Sequence, residues 1–182
     1  MGSTPTGRTM QMWRNGRRSR LKICRAMSPW GFDSPHLHIM KTIRFSSYES
    51  FKKWFYRNKR ECDFPLIERN NWWLRRQENL DMFRYVTPNG KCLGIAAVTP
   101  YESDWKDDKR KYISLFEIHR KFHRKGYGYW MFRSIENYYK SRGSTHFALM
   151  SVDDESDRFW RKLGFRRGNL SVEENDLQYR IK

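Results

Sequence analysis

Gly126 and Gly128 stand two apart in the stretch Ile118-His119-Arg120-Lys121-Phe122-His123-Arg124-Lys125-Gly126-Tyr127-Gly128-Tyr129, directly after a cluster of basic residues. Glycine lets a backbone approach a ligand with no Cβ in the way. Where such glycines open a helix, the unpaired N–H groups of its first turn form an anion cradle, and Arg124 and Lys125 add positive charge beside it. A pyrophosphate is the natural guest. The same glycine pair would serve a purely structural turn, so spacing has to discriminate. No G-x-x-x-x-G-K-[ST] occurs, and the dinucleotide fingerprint fails because Met131 stands where its third glycine belongs. Glu117, just before the stretch, is a carboxylate able to accept a proton directly or through water; facing solvent or pairing with an arginine is its plainer role. His119 and His123 are four apart, but they fall in a loop with no third ligand in view, so no metal site is expected.

These residues need a strand before them and a helix after them, and the flanking patterns supply both. Met40–Phe45 alternates and ends at Ser46-Ser47, a strand followed by a helix N-cap, and Phe51, Trp54 and Phe55 repeat at helical spacing toward about Glu61. A second short helix is expected over Ile67–Arg76. Met82–Thr87, the turn Pro88-Asn89-Gly90 and Cys92–Thr99 form a hairpin. After a charged loop, Glu102–Arg110, comes a strand at Tyr112–Ile118, completing three consecutive antiparallel strands. Then the period changes. Tyr127, Trp130, Met131, Ile135 and Tyr138 share one helix face, Arg133, Glu136, Asn137 and Lys140 the other, and Gly143 is placed to stop the helix. His146–Val152 is an apolar strand; Asp153 and Asp154 cap a helix that ends in Arg161 and Lys162 before Gly164. A strand pair around Arg166 and Leu177–Ile181 finishes the sheet.

At 182 residues the chain accommodates one full domain. Its formal charge of +17 is spread throughout: seven Lys/Arg and one Asp precede Met40, and the excess continues beyond it. Such a surface suits nucleic acid, membrane lipid or a phosphate-bearing ligand. Cys24, Cys62 and Cys92 show neither disulfide-framework nor zinc spacing, and no apolar run reaches the roughly 20 residues that span a bilayer. A cytoplasmic protein with no membrane partner is expected. Met1–Ile39, rich in Arg, Gly, Pro and Ser without periodicity, is expected to be a disordered basic leader. A nucleic-acid arm, a transit peptide and a stretch outside the native coding sequence compete as its explanation. Trp30–Pro35 permits codons resembling the T-arm of a transfer-RNA gene, which favours translation starting at Met40; the nucleotide sequence decides this.

The stretch from Ile118 to Tyr129 resembles the signature of the GNAT N-acetyltransferases, a strand followed by [QR]-x-x-G-x-[GA] at the start of the central helix. Phe159-Trp160-Arg161-Lys162-Leu163-Gly164-Phe165 is similar to that family's F-Y-x-K-L-G-F segment. The resemblance covers about Met40 to Lys182. It implies an α/β fold of the acyl-CoA N-acyltransferase type, with a mixed, mostly antiparallel central sheet flanked by helices, and acetyl-CoA as co-substrate. By motif position it assigns Ile118 and Arg120 to the pantetheine arm, and His123, Arg124, Lys125, Gly126, Tyr127, Gly128 and Tyr129 to the pyrophosphate, with Trp160 beside the cofactor. Two positions depart from the pattern. His123 replaces the usual Gln or Arg, and Trp160 stands where many members have a tyrosine thought to protonate the leaving thiolate. Indole cannot do that, which leaves unaided departure, Ser151 as a substitute, or a scaffold that binds without efficient transfer.

The implied activity is transfer of acetyl to a primary amine of a small molecule or protein, with Glu117 as base. One rival is a GNAT-shaped nucleic-acid- or protein-binding module; a second is a virus-encoded or mobile-element protein aimed at a host target, which genome context would decide. Phe51–Arg57 mixes basic and aromatic residues as nucleic-acid platforms do, but an amphipathic helix with a basic outer face is the expectation, so nucleic acid is not favoured. The sequence is silent on oligomeric state.

Overall fold

The computed structural model describes residues 40–76, 79–100, 109–168 and 176–181. The leader expected over Met1–Ile39 and most of the loop expected over Glu102–Arg110 lie outside the described residues. The chain runs β1 (Lys41–Arg44), α1 (Tyr48–Arg57), α2 (Pro65–Leu74), β2 (Asp81–Val86), β3 (Cys92–Pro100), β4 (Arg110–Ile118), a 3-10 turn (Arg120–Phe122), α3 (Tyr127–Lys140), β5 (His146–Leu149), α4 (Asp154–Leu163), β6 (Arg166–Arg167) and β7 (Leu177–Arg180). These seven strands form one sheet in the order β1-β2-β3-β4-β5-β7-β6. Every pairing is antiparallel except β4 with β5. That single parallel step follows from α3, which carries the chain back over the sheet between the two strands.

Strand alternation divides the apolar residues between two layers. Ile95 and Ala97 of β3 join Met82, Leu115, Phe51 and Phe55 beneath α1 and α2. Ala96 and Val98 face the other way and pack with Phe83, Tyr85, Met131, Phe132, Phe147 and Phe165 under α3 and α4. The second layer is built mostly of aromatic rings at edge-to-face angles; Phe132 alone meets Phe147, Trp160, Phe165 and Tyr179 within 6 Å. Few, large side chains thus fill a core in a chain of modest apolar content.

Local signals set most boundaries. Ser47 closes a capping box with Ser50 at the start of α1, and Asp153 does the same with Ser156 at α4. Gly164 takes a left-handed φ of 108° to end α4. Three expectations need correction. Helix α1 stops at Arg57 rather than near Glu61, because the Asn58 amide side chain and N–H both turn back onto the Trp54 carbonyl. Residues 120–122 form a 3-10 turn inside the stretch expected to be loop. On α3 the expected face does pack on the core, with Met131 and Ile135 buried and Tyr127, Trp130 and Tyr138 partly so, but the buried set is wider and takes in Phe132, Glu136 and Tyr139. Glu136 is reclassified from outer face to interior, where it accepts hydrogen bonds from Arg133 (2.6 Å) and the Tyr179 hydroxyl (2.6 Å). A polar residue read by type alone is assigned to solvent; here two partners satisfy it in the core.

Candidate active site

Strand β4 positions the site through what it does not pair with. Arg110, Lys111 and Tyr112 pair with His146, Phe147 and Ala148 of β5. Among the described residues the pairing goes no further, while β4 continues to Ile118 alongside β3. The register against β3 shifts between Ala97 and Val98, leaving Ser114 as an extra residue on β4. A bulge of this kind twists a strand, and here it lies where β4 parts from β5. Beyond Tyr112 this edge of β4 therefore lies open, with no strand paired to it among the described residues.

Past the end of β4 the chain turns through residues 119–126 into α3. Arg124 holds a left-handed φ of 60° and Gly126 one of 78°, and Gly126 is the N-cap of α3 with no side chain capping the helix. The first-turn N–H groups therefore lack an intrahelical acceptor. Residues 123–125 are exposed and residues 126–129 half-buried, so this bend is open to a ligand rather than covered by the rest of the fold. Gly128 sits close to α4: a Cβ there would lie 3.1 Å from the Phe159 ring, a tight contact that the ring would have to yield to. These features suit a phosphate-bearing guest, by backbone amides, helix dipole and charge together.

The side chains around the bend have assigned partners. The His123 Nε2–H donates to the Ile118 carbonyl (2.6 Å), fixing the ring across the end of β4. Arg124 bridges to Glu155 of α4 (2.8 Å) and Arg120 to Asp63 (3.1 Å), both exposed pairs of small energetic weight. The Lys125 ammonium lies 5.8 Å from the Phe122 ring centroid, which Tyr127 also meets edge-on. Tyr129 stacks under the Arg133 guanidinium. Trp160 is only 5% exposed and contacts Phe116, Phe132, Phe159 and Phe165, so the indole is a core packing element beneath the opening. Ser151 sits after β5 and donates a long bond to Asp157 (3.4 Å).

Glu117 lies on the opposite face of β4 from Phe116, toward α2. Its carboxylate accepts the N–H of Leu66 (3.2 Å), in the first turn of α2. Burial raises its pKa to about 7, against the opposing pull of the Leu66 hydrogen bond; Asp63 pushes the same way as burial and Arg69 against it. A carboxyl group so poised exchanges its proton near neutrality, as a general base requires. His119 is buried, accepts the Lys121 N–H at Nδ1 (3.2 Å) and packs edge-on against Phe64; burial lowers its pKa. The two histidines thus have separate structural roles, and among the described residues no three His, Cys, Asp or Glu side chains gather as a metal site would need. No described helix is long and apolar enough to cross a membrane.

Sequence reasoning missed Gly94 of β3. A Cβ there would lie 2.5 Å from Ile118 Cδ1 and 2.9 Å from both the Glu117 carbonyl and Met131 Sδ. Its absence lets Ile118 and α3 settle onto the sheet. A glycine inside an apolar strand run was the available signal.

The sequence matches the acetyltransferase (GNAT) family over residues 45–165. Solved structures with the same fold include an N-acetyltransferase from Lactobacillus plantarum described as putative (13% identity over 79% of this chain and 99% of that one, TM-score 0.57). Tetrahymena GCN5 matches at 8% identity over 78% and 96% of the two chains, TM-score 0.56. AtaTR bound with acetyl-CoA matches at 14% over 79% and 94%, TM-score 0.52. No curated protein sequence matches the chain significantly.

Proposed function

Because the chain belongs to the GNAT acetyltransferase family, we propose that it transfers the acetyl group of acetyl-CoA to a primary amine borne by a small molecule or a protein. The observation that carries this is the open edge of β4 running into an uncapped, glycine-bearing helix start. A pantetheine arm laid along that edge would extend the sheet by backbone hydrogen bonds, near Ile118 and Arg120. Its pyrophosphate would meet the amides of residues 124–129, with Lys125 and His123 at the rim. AtaTR, whose fold is shared, was crystallised with acetyl-CoA, which supports the same co-substrate here.

Bound acetyl-CoA supplies a thioester carbon open to attack. The protein's part is mainly to align that carbon with the amine. An ammonium with a pKa near 10 must lose a proton before it can attack, and Glu117 accepts it, directly or through a water. Phe116 and Trp160 keep the floor of the opening apolar, which excludes water from the reacting carbon. Trp160 offers no transferable proton, so the thiolate departs unaided or with Ser151, whose hydroxyl proton is engaged by Asp157.

Thiol release from acetyl-CoA, measured with a panel of amines, tests this reading. Amine-dependent release with a matching gain of 42 Da on the acceptor, the mass of an acetyl group replacing a hydrogen, is the expected result. Stabilisation by nucleic acid with no binding of acetyl-CoA would instead support the binding-module reading.

A further inference from the structure

On the α1–α2 side of β4 a cleft of about 900 Å³ is bounded by three separate segments: the connector from Lys59 to Pro65, the hairpin tip at Asn89–Lys91, and His119–Phe122. Glu117 lies next to this cleft rather than in its lining: its carboxylate is bonded to Leu66, which follows Pro65 of the lining, and feels the charge of Asp63, another lining residue. The cofactor bend begins just beyond Phe122, whose ring meets Lys91 of the cleft as well as Lys125 and Tyr127 of the bend, so the two sites are neighbours.

Charge in this cleft is unbalanced. Lys59 is paired with Glu68 (2.9 Å) and Arg120 with Asp63 (3.1 Å). Arg60, Lys91 and Lys121 also line it and have no carboxylate partner among the described residues, against one unpaired acid, Glu61. The Lys91 ammonium lies inside the cleft, 5.1 Å from the Phe122 ring centroid. Its backbone is held by a closed turn: the Lys91 N–H donates to Thr87 Oγ1 (3.0 Å) and the Gly90 N–H to the Thr87 carbonyl (2.9 Å). Three cations on three independently fixed segments repel one another, and an anion between them relieves that repulsion.

We propose that this cleft is the acceptor site and that its acceptor is an amine carrying an anionic group, a phosphate or a carboxylate, held by Arg60, Lys91 and Lys121 while the amine reaches Glu117. The proposal rests on the acetyltransferase reading above and names its substrate class. It assigns the basic charge here to selecting the acceptor, separate from the cofactor's phosphates.

The test uses the full chain, first titrated with CoA to fill the cofactor bend. To that complex 2-aminoethyl phosphate, 3-aminopropanoate and ethanolamine are added in separate NMR-monitored titrations, repeated on an Arg60→Ala/Lys91→Ala/Lys121→Ala variant. At least one of the two anionic amines should bind about tenfold or more tightly than ethanolamine, the size expected of charge-assisted contacts, and which one does so distinguishes phosphate from carboxylate. The preference should vanish in the variant, whose CoA affinity should be unchanged. Equal binding of all three amines, or a preference that survives the triple substitution, overturns the proposal. So does tight binding of a single-stranded oligonucleotide by a protein that does not discriminate among the small amines, which would make the surface a nucleic-acid platform. Failure of the initial CoA titration is a different result and removes the acetyltransferase reading itself.

Discussion

Glu117 illustrates what one residue acquires from its surroundings. An ordinary glutamate ionises near 4.3; this one, deprived of water and held near Asp63, does so at about 7. Its folded-state pKa is raised, so the folded protein binds the extra proton between those two values. Stability is therefore fully favoured below the unfolded pKa and is lost as pH rises toward 7, the reverse of a salt-bridged carboxylate. Two outcomes follow for Glu117→Gln. Urea midpoints of the variant should gain on the wild type as pH rises from about 4.5 to 7, because the variant has no charge to bury. Its kcat should fall roughly 10²–10⁴-fold, with loss of the limb of the pH–rate profile centred near 7 and with acetyl-CoA affinity retained. An unaltered profile would leave Glu117 a structural acceptor for Leu66. The sequence made this residue a candidate by its place beside the bend. The burial that poises it comes from packing against segments as distant as Leu66, 51 residues away in the chain, and no local pattern encodes it.

At the scale of elements, legibility tracked how local the cause was. Caps, turns and hairpins depend on neighbours in the chain, and Ser47, Asp153, Gly164 and the Thr87–Lys91 turn all lie where residue type places them. The extent of the buried face of α3 depends on what it packs against, and there the face expected from Tyr127, Trp130, Met131, Ile135 and Tyr138 is joined by Phe132, Glu136 and Tyr139. Helix periodicity identified the helix and its apolar side but not the buried carboxylate, which finds Arg133 and Tyr179. Gly94 shows the same dependence at a strand. Gly94→Val would drive a side chain into Ile118, Met131 and the Glu117 carbonyl, and should cost about 1–3 kcal/mol of stability by overpacking. Since β4 must move to relieve it, acetyl-CoA affinity should weaken in the same variant. Chemical denaturation and calorimetry check the two effects. A neutral substitution would mean that β4 is not held by this contact.

Taken whole, the molecule gathers its candidate sites around the C-terminal half of β4: the edge left unpaired by β5 leads into the bend before α3, while Glu117 faces α2 beside the cleft. Part of the chain's excess basic charge thus falls at two places, Arg124 and Lys125 at a bend suited to a diphosphate and Arg60, Lys91 and Lys121 at a cleft suited to an anionic acceptor. Fold class was recoverable from the order of elements and two short motifs; the point at which β4 ceases to pair with β5, after Tyr112, was not, because it has no residue signature. The measurement closest to the centre of this account is a set of backbone amide shifts recorded as acetyl-CoA is titrated into the full chain. The largest changes should fall on the amides of residues 124–129, with a second set along Ser114–Ile118. Saturating binding that left those amides unmoved and shifted others would contradict the account.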